Sequence, residues 1–418
     1  MPLDDSSIPL DGPSYAKFLY YQNHGHSNKI NSPDRRVPKE RKRSKKQLEY
    51  AKLEFKDLKL GKFIGNGIVN IVSLVELPEW YRQHHNMSTT RAFVIKLTPG
   101  GEWFVESGNR EIEIWKSLGA NFTEAKKHRI VPLLWEQRNF TNPFFRNPSL
   151  KIPESFPRLQ ALRLRLSPHL VAQVLPYLHL DYPCREIFSV KSLRRYFKSL
   201  LEILVYAHSL GINNFDLKCN NALINVNGYA VITDWNAGKQ NGENLFDPTA
   251  YLRITAPEGM IERTPDGLPI TQTILSAMDI WSVGAMMADI AFRPCRFVMN
   301  SKYPEREGYP QNYHLIQELL TSLGGETTIP ISKDKTLDLA ALVNWNSSLH
   351  TEFEVPLRKS AASFEKCNLK HDQFERLKDA TEQDWRDLRS LLQKALKVSP
   401  SERPDAASLL KHRFFQTT

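Results

Sequence analysis

Residues 211–224, GINNFDLKCNNALI, crowd Asp216, Lys218 and Asn221 into six positions just ahead of a short apolar run. Two charges and an amide at that spacing are odd packing for a core. The stretch before them, SLRRYFKSLLEILVYAHSLG, has the apolar periodicity of a long amphipathic helix ended by Gly211. The stretch after them, VITDWNAG (231–238), brings a second acid, Asp234. Read as chemistry, Asp216 can take a proton from a hydroxyl nucleophile and Lys218 can neutralise charge on a phosphoryl group in flight. Asn221 and Asp234 offer the oxygen ligands that Mg²⁺ prefers. The pattern therefore points to phosphoryl transfer.

The chain ahead of this stretch reads differently. LKLGKFIGNGIVNIVSLVEL alternates apolar residues around Gly65-Asn66-Gly67, the pattern of strand, tight turn and strand. Glycines there allow backbone N–H groups to approach a phosphate that a side chain would keep away; a plain hairpin accounts for Gly-x-Gly equally well. RAFVIKLTP is a further short strand with Lys96 among apolar neighbours, and NREIEIWKSLG has helical spacing that supplies Glu111 as an acidic partner. The alternative for Lys96 is a side chain that snorkels to solvent. RIVPLLWEQ and HLVAQVLPYLHL look like two more strands, separated by a Pro/Arg-rich loop excursion over 140–167.

Beyond residue 179 the elements become helical: AMDIWSVGAMMADIAF, QNYHLIQELLTSLGG, WRDLRSLLQKALKV and AASLLKHRFF follow the amphipathic helix. Residues 326–375 have weaker periodicity and read as an inserted loop region. The expected class is α+β, with a strand-rich lobe over about 55–178, a helical lobe over about 179–416, and a ligand in the cleft between them.

The formal net charge of +10 is concentrated. Residues 35–46, RRVPKERKRSKK, carry eight basic side chains against Glu40, a net +7. The run reads as a solvated tail, as a nuclear import signal, or as a weakly selective nucleic-acid contact through counterion release. Of these the import signal fits its two basic clusters best, so a nuclear location is expected. Residues 1–50 are polar and proline-dotted, the composition of disorder, apart from the aromatic cluster SYAKFLYYQNH, which would fold back on the domain or dock a partner. Cys184, Cys219, Cys295 and Cys367 form no C-x-x-C pair, so neither a disulfide scaffold nor a zinc site is expected. No stretch approaches the roughly 18 apolar residues of a membrane span, and a soluble intracellular chain is expected.

Taken together, the motifs resemble the eukaryotic protein kinase superfamily. IGNGIV resembles its glycine-rich loop, FVIK its lysine strand, REIEIW its glutamate-bearing helix, FDLKCNN its catalytic loop and DWN its metal motif. APE (256–258) and DIWSVG (279–284) match as they stand, and SERPDA supplies Arg403, which typically pairs with the glutamate of APE, here Glu258. The Lys two residues after Asp216 resembles the serine/threonine branch. Shorter cues point to cell-division-cycle-seven kinases (VLPYLHLD), casein kinase two (DW) and the cyclin-dependent group (LLTSLGG).

The resemblance implies ATP and Mg²⁺ as cofactors and a protein as substrate, with room for a regulatory protein partner. It implies Asp216 and Lys218 as catalytic, Asn221 and Asp234 as metal ligands, and Gly65, Asn66, Gly67, Val72, Lys96, Glu111 and Leu178 at the nucleotide.

Some supporting positions depart from the pattern. Asn214-Phe215 stands where the family has His-Arg; Asn would brace the metal motif in place of His, while losing the Arg suggests that loop phosphorylation is not used. Asn236 replaces the glycine of the metal motif; if that position needs positive φ, Asn tolerates it better than most residues, at a cost of roughly 1 kcal/mol or less. Asn70 replaces the third glycine of the loop and is expected to crowd the nucleotide. Tyr251 replaces a Thr or Ser seven residues ahead of Glu258, with Thr249 two positions away. An active, divergent kinase and a non-catalytic scaffold on the same fold are the two readings these departures leave.

Overall fold

A computed structural model describes residues 53–67, 70–85, 92–240, 256, 273–291, 328–332, 335–338, 377, 379–397 and 400–416. The basic run, the aromatic cluster at 14–24, residues 249–251, Glu258, the 311–325 segment and most of 326–375 lie outside them. The architecture is α+β, and the chain divides into two compact units, Met1–Leu178 and His179–Thr418.

The first unit is built on an antiparallel sheet. β1 (Lys59–Asn66) and β2 (Ile71–Glu76) form the hairpin expected around Gly65–Gly67, and helix α1 (Glu79–His84) follows. β3 (Phe93–Gly100) leads into helix α2 (Glu102–Gly119) and helix α3 (Phe122–Lys127). β4 (Trp135–Thr141), helix α4 (Arg158–Leu166) and β5 (His169–Pro176) complete it, in the strand order β1-β2-β3-β5-β4. β3 and β5 are buried along most of their length because both faces are covered, which is why their sequences run apolar rather than alternating. One transverse row of this sheet carries Gly65, Val72, Lys96, Gln173 and Glu136 in direct register across β1, β2, β3, β5 and β4.

Residues 140–167 are more ordered than a loop excursion. Phe144 and Phe156 enter the core of the unit, where Phe144 stands edge-on to Phe55 and Phe156 edge-on to Phe63. Asn142 donates through Nδ2 to Leu164 O at 2.7 Å and Ser167 O at 2.8 Å, closing the segment on α4. The helix escapes a periodicity reading because Leu164 is buried while Leu159, Leu162 and Leu166 are exposed. The apolar stripe one would look for faces away from the core.

In the second unit, β6 (Leu180–Asp181) and helix α5 (Pro183–Glu186) precede the long helix α6 (Val190–Ser209). Ser189 and Ser192 cap α6 reciprocally, Ser192 N donating to Ser189 Oγ and Ser189 N to Ser192 Oγ. The helix ends at Gly211, whose φ of 71° is the left-handed turn that glycine takes readily. Short strands β7 (Ile212–Asn213), β8 (Ala222–Asn225), β9 (Ala230–Ile232) and β10 (Lys239–Gln240) follow. β6-β8-β9 form one small sheet and β10-β7 another.

Helix α7 (Thr273–Ala291) is buried at nearly every described position from Ala277 on, as its continuously apolar sequence requires. A hairpin of β11 (Thr328–Ser332) and β12 (Lys335–Asp338) stands where a loop was expected. Helices α8 (Glu382–Ala395) and α9 (Ala406–Leu410) complete the unit. Among the described residues, no helix is long and apolar enough to cross a membrane.

Candidate active site

In the first unit the turn after β1 is closed by Gly67, whose N–H donates to Asn70 O at 3.0 Å. A Cβ placed on Gly65 or Gly67 would meet nothing within 4 Å, so both face open space. Asn66 is exposed, its amide donating to Gly67 O at 3.4 Å. Asn70 does not project where a nucleotide would be crowded. It is buried, and its Oδ1 accepts from Thr98 Oγ1 at 2.6 Å, which fastens the hairpin to β3. The short polar side chain turned inward because β3 offered it a hydroxyl.

Lys96 on β3 and Glu111 on α2 form a buried ion pair, Nζ to Oε1 at 2.5 Å. Lys96 therefore does not snorkel. Burying two charges is costly unless each is paired and hydrogen-bonded, and Glu111 has a further donor in Gln173 Nε2 at 2.9 Å from Oε2. Val72, half-buried, is the β2 neighbour of Lys96 in the sheet register. Leu178 follows β5 by two residues and is half-buried.

In the second unit the polar cluster of 214–234 converges. Lys218 Nζ lies 2.8 Å and 2.7 Å from the two carboxylate oxygens of Asp216. Asn221 donates through Nδ2 to Asp216 O at 2.9 Å and to Asp216 Oδ2 at 2.7 Å. Burial pushes the Asp216 carboxyl above its ordinary value; the charge and hydrogen bond of Lys218 and the amide of Asn221 pull it down, the nearby Asp234 pushes it up, and the net direction is upward.

Asn214, fully buried, spans the two acidic motifs. Its Nδ2 donates to Asp234 O at 2.9 Å and its Oδ1 accepts from Asp216 N at 3.1 Å. Asn236 does not adopt a positive φ, so the position carries no such cost. Its N–H donates to Asp234 Oδ1 at 3.1 Å, while the positive φ falls instead on Phe215, at 61°. A bulky residue in the left-handed region is strained and persists only where its surroundings hold it. The holder is Asp279, fully buried on α7: its Oδ1 accepts from Phe215 N at 2.9 Å and its Oδ2 from Asn214 N at 2.8 Å. His208 Nε2, at the end of α6, stands 2.9 Å from the same Oδ2. From the middle of α6, Tyr196 donates to Ala222 O at 2.5 Å and so fixes the start of β8 just behind Asn221.

Tyr196 was legible only as a helix residue, a tyrosine in a buried stripe, and Asp279 only as the first residue of the DIWSVG motif, with no role attached. Arg403 donates to Lys397 O at 2.7 Å and Ala277 O at 3.0 Å and lies over the Trp281 ring. Its expected partner Glu258 is outside the described residues, as are Thr249 and Tyr251.

As a donor set for a cation, the amide oxygen of Asn221 and the carboxylate of Asp234 are hard oxygens suited to Mg²⁺. Among the described residues no group of three or more His, Cys, Asp or Glu side chains forms a metal cage.

The protein kinase domain model matches residues 169–415, beginning at β5, so Lys96 and Glu111 lie ahead of the matched span. Cyclin-dependent kinase 12 of Caenorhabditis elegans is 24% identical over 222 residues, 53% of this chain and 25% of that protein. Mitogen-activated protein kinase 11 of Arabidopsis thaliana is 33% identical over 129 residues, 31% of each chain. CBL-interacting protein kinase 12 of Oryza sativa subsp. japonica is 32% identical over 101 residues, 22% of this chain and 17% of that protein. The chain thus spans between 17% and 31% of the length of these relatives. With more than half of its residues inside the matched domain, the chain belongs to the eukaryotic protein kinase superfamily, serine/threonine type.

Proposed function

We propose that this chain transfers the γ-phosphoryl group of ATP to serine or threonine hydroxyls of a protein substrate. The observation that carries the reading is the Asp216 carboxylate, fixed by Lys218 and Asn221 and raised in proton affinity by burial. A base so placed takes the hydroxyl proton as the oxygen attacks phosphorus and the bond from the γ-phosphorus to the bridging oxygen breaks, releasing ADP. Lys218 offsets charge on the phosphoryl group in transit. Lys96, oriented by Glu111, anchors the nucleotide phosphates, and the glycines at 65 and 67 leave room for them. Asn221 and Asp234 hold Mg²⁺, which when bound neutralises phosphate charge. The altered 214–215 pair is compatible with activity because Asn214 still ties the Asp234 backbone to the Asp216 backbone.

A regulatory protein partner belongs to the same proposal. The basic run at 35–46 supports nuclear import and, secondarily, weak contact with nucleic acid.

The test is phosphate transfer to serine/threonine peptides beside thermal unfolding with and without Mg²⁺-ATP, for the wild type and Asp216→Asn. A loss of about 10²–10⁴-fold in transfer with nucleotide stabilisation retained supports the base assignment. Unchanged transfer in Asp216→Asn sinks it. Nucleotide stabilisation with no transfer from either protein to peptides or native substrates favours the non-catalytic scaffold.

A further inference from the structure

We propose that Gln173 is a positioning residue that latches α2 onto the sheet and thereby holds Glu111 against Lys96. The inference rests on reading Lys96–Glu111 as the phosphate anchor and adds to it a device for keeping the anchor assembled. An amide in the middle of the apolar strand HLVAQVLP has no packing reason to be there. Gln173 is fully buried, is the direct cross-strand partner of Lys96, and shares that residue's face of the sheet. Its Nε2 donates to Glu111 Oε2 at 2.9 Å and lies 3.5 Å from Gly108 O, one turn earlier on α2. The opposite amide orientation would press Oε1 against a carboxylate, so the donor side must face Glu111. The two oxygens of Glu111 are thus divided, one to Lys96 and one to Gln173.

Two further features make the grip possible. A Cβ on Gly108 would sit 3.2 Å from Thr98 Cβ and Oγ1 and from Val171 Cβ, so α2 lies closer to β3 and β5 than a larger residue allows. Next along the row, Glu136 of β4 accepts from Lys116 of α2 at 2.6 Å. Lys96, Gln173 and Glu136, on three adjacent strands, therefore all hold one helix.

The bland alternative is a buried amide that only fills space. It leaves Gln173 Oε1 with no hydrogen-bond partner among the described residues, a cost that an apolar residue of similar volume would remove. The two readings therefore part at Gln173→Met in the full chain. A space-filling amide predicts unchanged exchange and stability kept or raised. The latch predicts that amides of 102–119 exchange hydrogen about tenfold faster, the scale of one lost bond to a charged group. Global stability is then lowered, because the buried Glu111 Oε2 loses its donor. Peptides of 190–209 should be unchanged. In transfer assays the KM for Mg²⁺-ATP should rise several-fold with the KM for the peptide unaltered. Unchanged exchange across 102–119 overturns the latch.

Gly108→Ala, which lifts α2 by a few tenths of an ångström, should accelerate exchange in the same peptides and serves if Gln173→Met does not fold. Unchanged exchange there also counts against the latch. The exchange readout needs no turnover. A chain that transfers no phosphate overturns the proposed activity while the exchange result still decides the latch.

Discussion

At the scale of single residues, the catalytic stretch trades backbone strain for position. Phe215 keeps a φ of 61° because the buried carboxylate of Asp279 takes its N–H and that of Asn214. Asn214 then uses both ends of its amide, and removing them takes a donor from Asp234 O and an acceptor from Asp216 N in a part-buried setting. Asn214→Ala should therefore destabilise the protein by about 1–3 kcal/mol in urea unfolding; a change near zero would show that water replaces both bonds.

Asp216 carries a charge its surroundings disfavour. Its folded-state affinity for a proton exceeds its unfolded one, so ionisation weakens the fold, and the contribution present at low pH is lost as pH rises through the raised value. Asp216→Asn should be more stable than the wild type at neutral pH, the gap closing as pH falls through the ordinary carboxylate range. A constant gap would mean that the burial penalty has been overstated against the Lys218 pair. The acid at 216, the lysine at 218 and the amide at 221 were legible in the sequence because chemistry requires those residue types at that spacing. Gln173 was not, because an amide within an apolar strand says nothing until the opposite helix shows what it touches.

At the scale of elements, the end of α1 contains a titration that the sequence does not advertise. His85 packs against Tyr81 with ring centroids 4.3 Å apart and the planes tilted by 46°, and His84 lies beside it. Burial, and secondarily the charge of His84, lower its pKa to about 4. The unfolded chain, near 6.5, takes the proton first, so stability is lost as pH drops from about 6.5 toward about 4. His85→Phe should flatten that part of the stability profile, read by urea unfolding at stepped pH; a profile identical to wild type would place the acid sensitivity elsewhere.

Element boundaries show the same division between legible and hidden. α6 and α8 carry their own caps and amphipathic stripes, so both could be placed from sequence. α2 begins seven residues ahead of the expected NREIEIWKSLG, at Glu102 after Gly101, because its first two turns are set by contact with the sheet rather than by a cap. In α4 the leucines at helical spacing, Leu159, Leu162 and Leu166, are exposed while Leu164 is buried, so its periodicity would have pointed to the wrong face. Asn70 was misjudged because a side-chain amide turns to whichever backbone or hydroxyl partner is near, here Thr98 Oγ1, and which partner is near is a tertiary fact.

At the scale of the whole molecule, glycines separate what holds the protein together from what it does. On α7 a Cβ at Gly284 would lie 2.9 Å from Ala395 Cβ and 3.1 Å from the Leu396 side chain, inside the helix packing of the second unit. In the first unit a Cβ at Gly67 would meet nothing within 4 Å, and neither glycine has a positive φ that would strain alanine. Gly284→Ala gains helix propensity, worth at most about 1 kcal/mol, against an overpacking cost of about 1–3 kcal/mol. The clash wins, and the variant should unfold at lower urea. Gly67→Ala should melt like the wild type, yet lose the stabilisation that Mg²⁺-ATP confers, because the space it fills is the space a phosphate would use. Thermal unfolding of both variants with and without nucleotide makes the comparison. Undiminished nucleotide stabilisation in Gly67→Ala would move the phosphates away from this turn, and with them the role assigned to the β1–β2 hairpin.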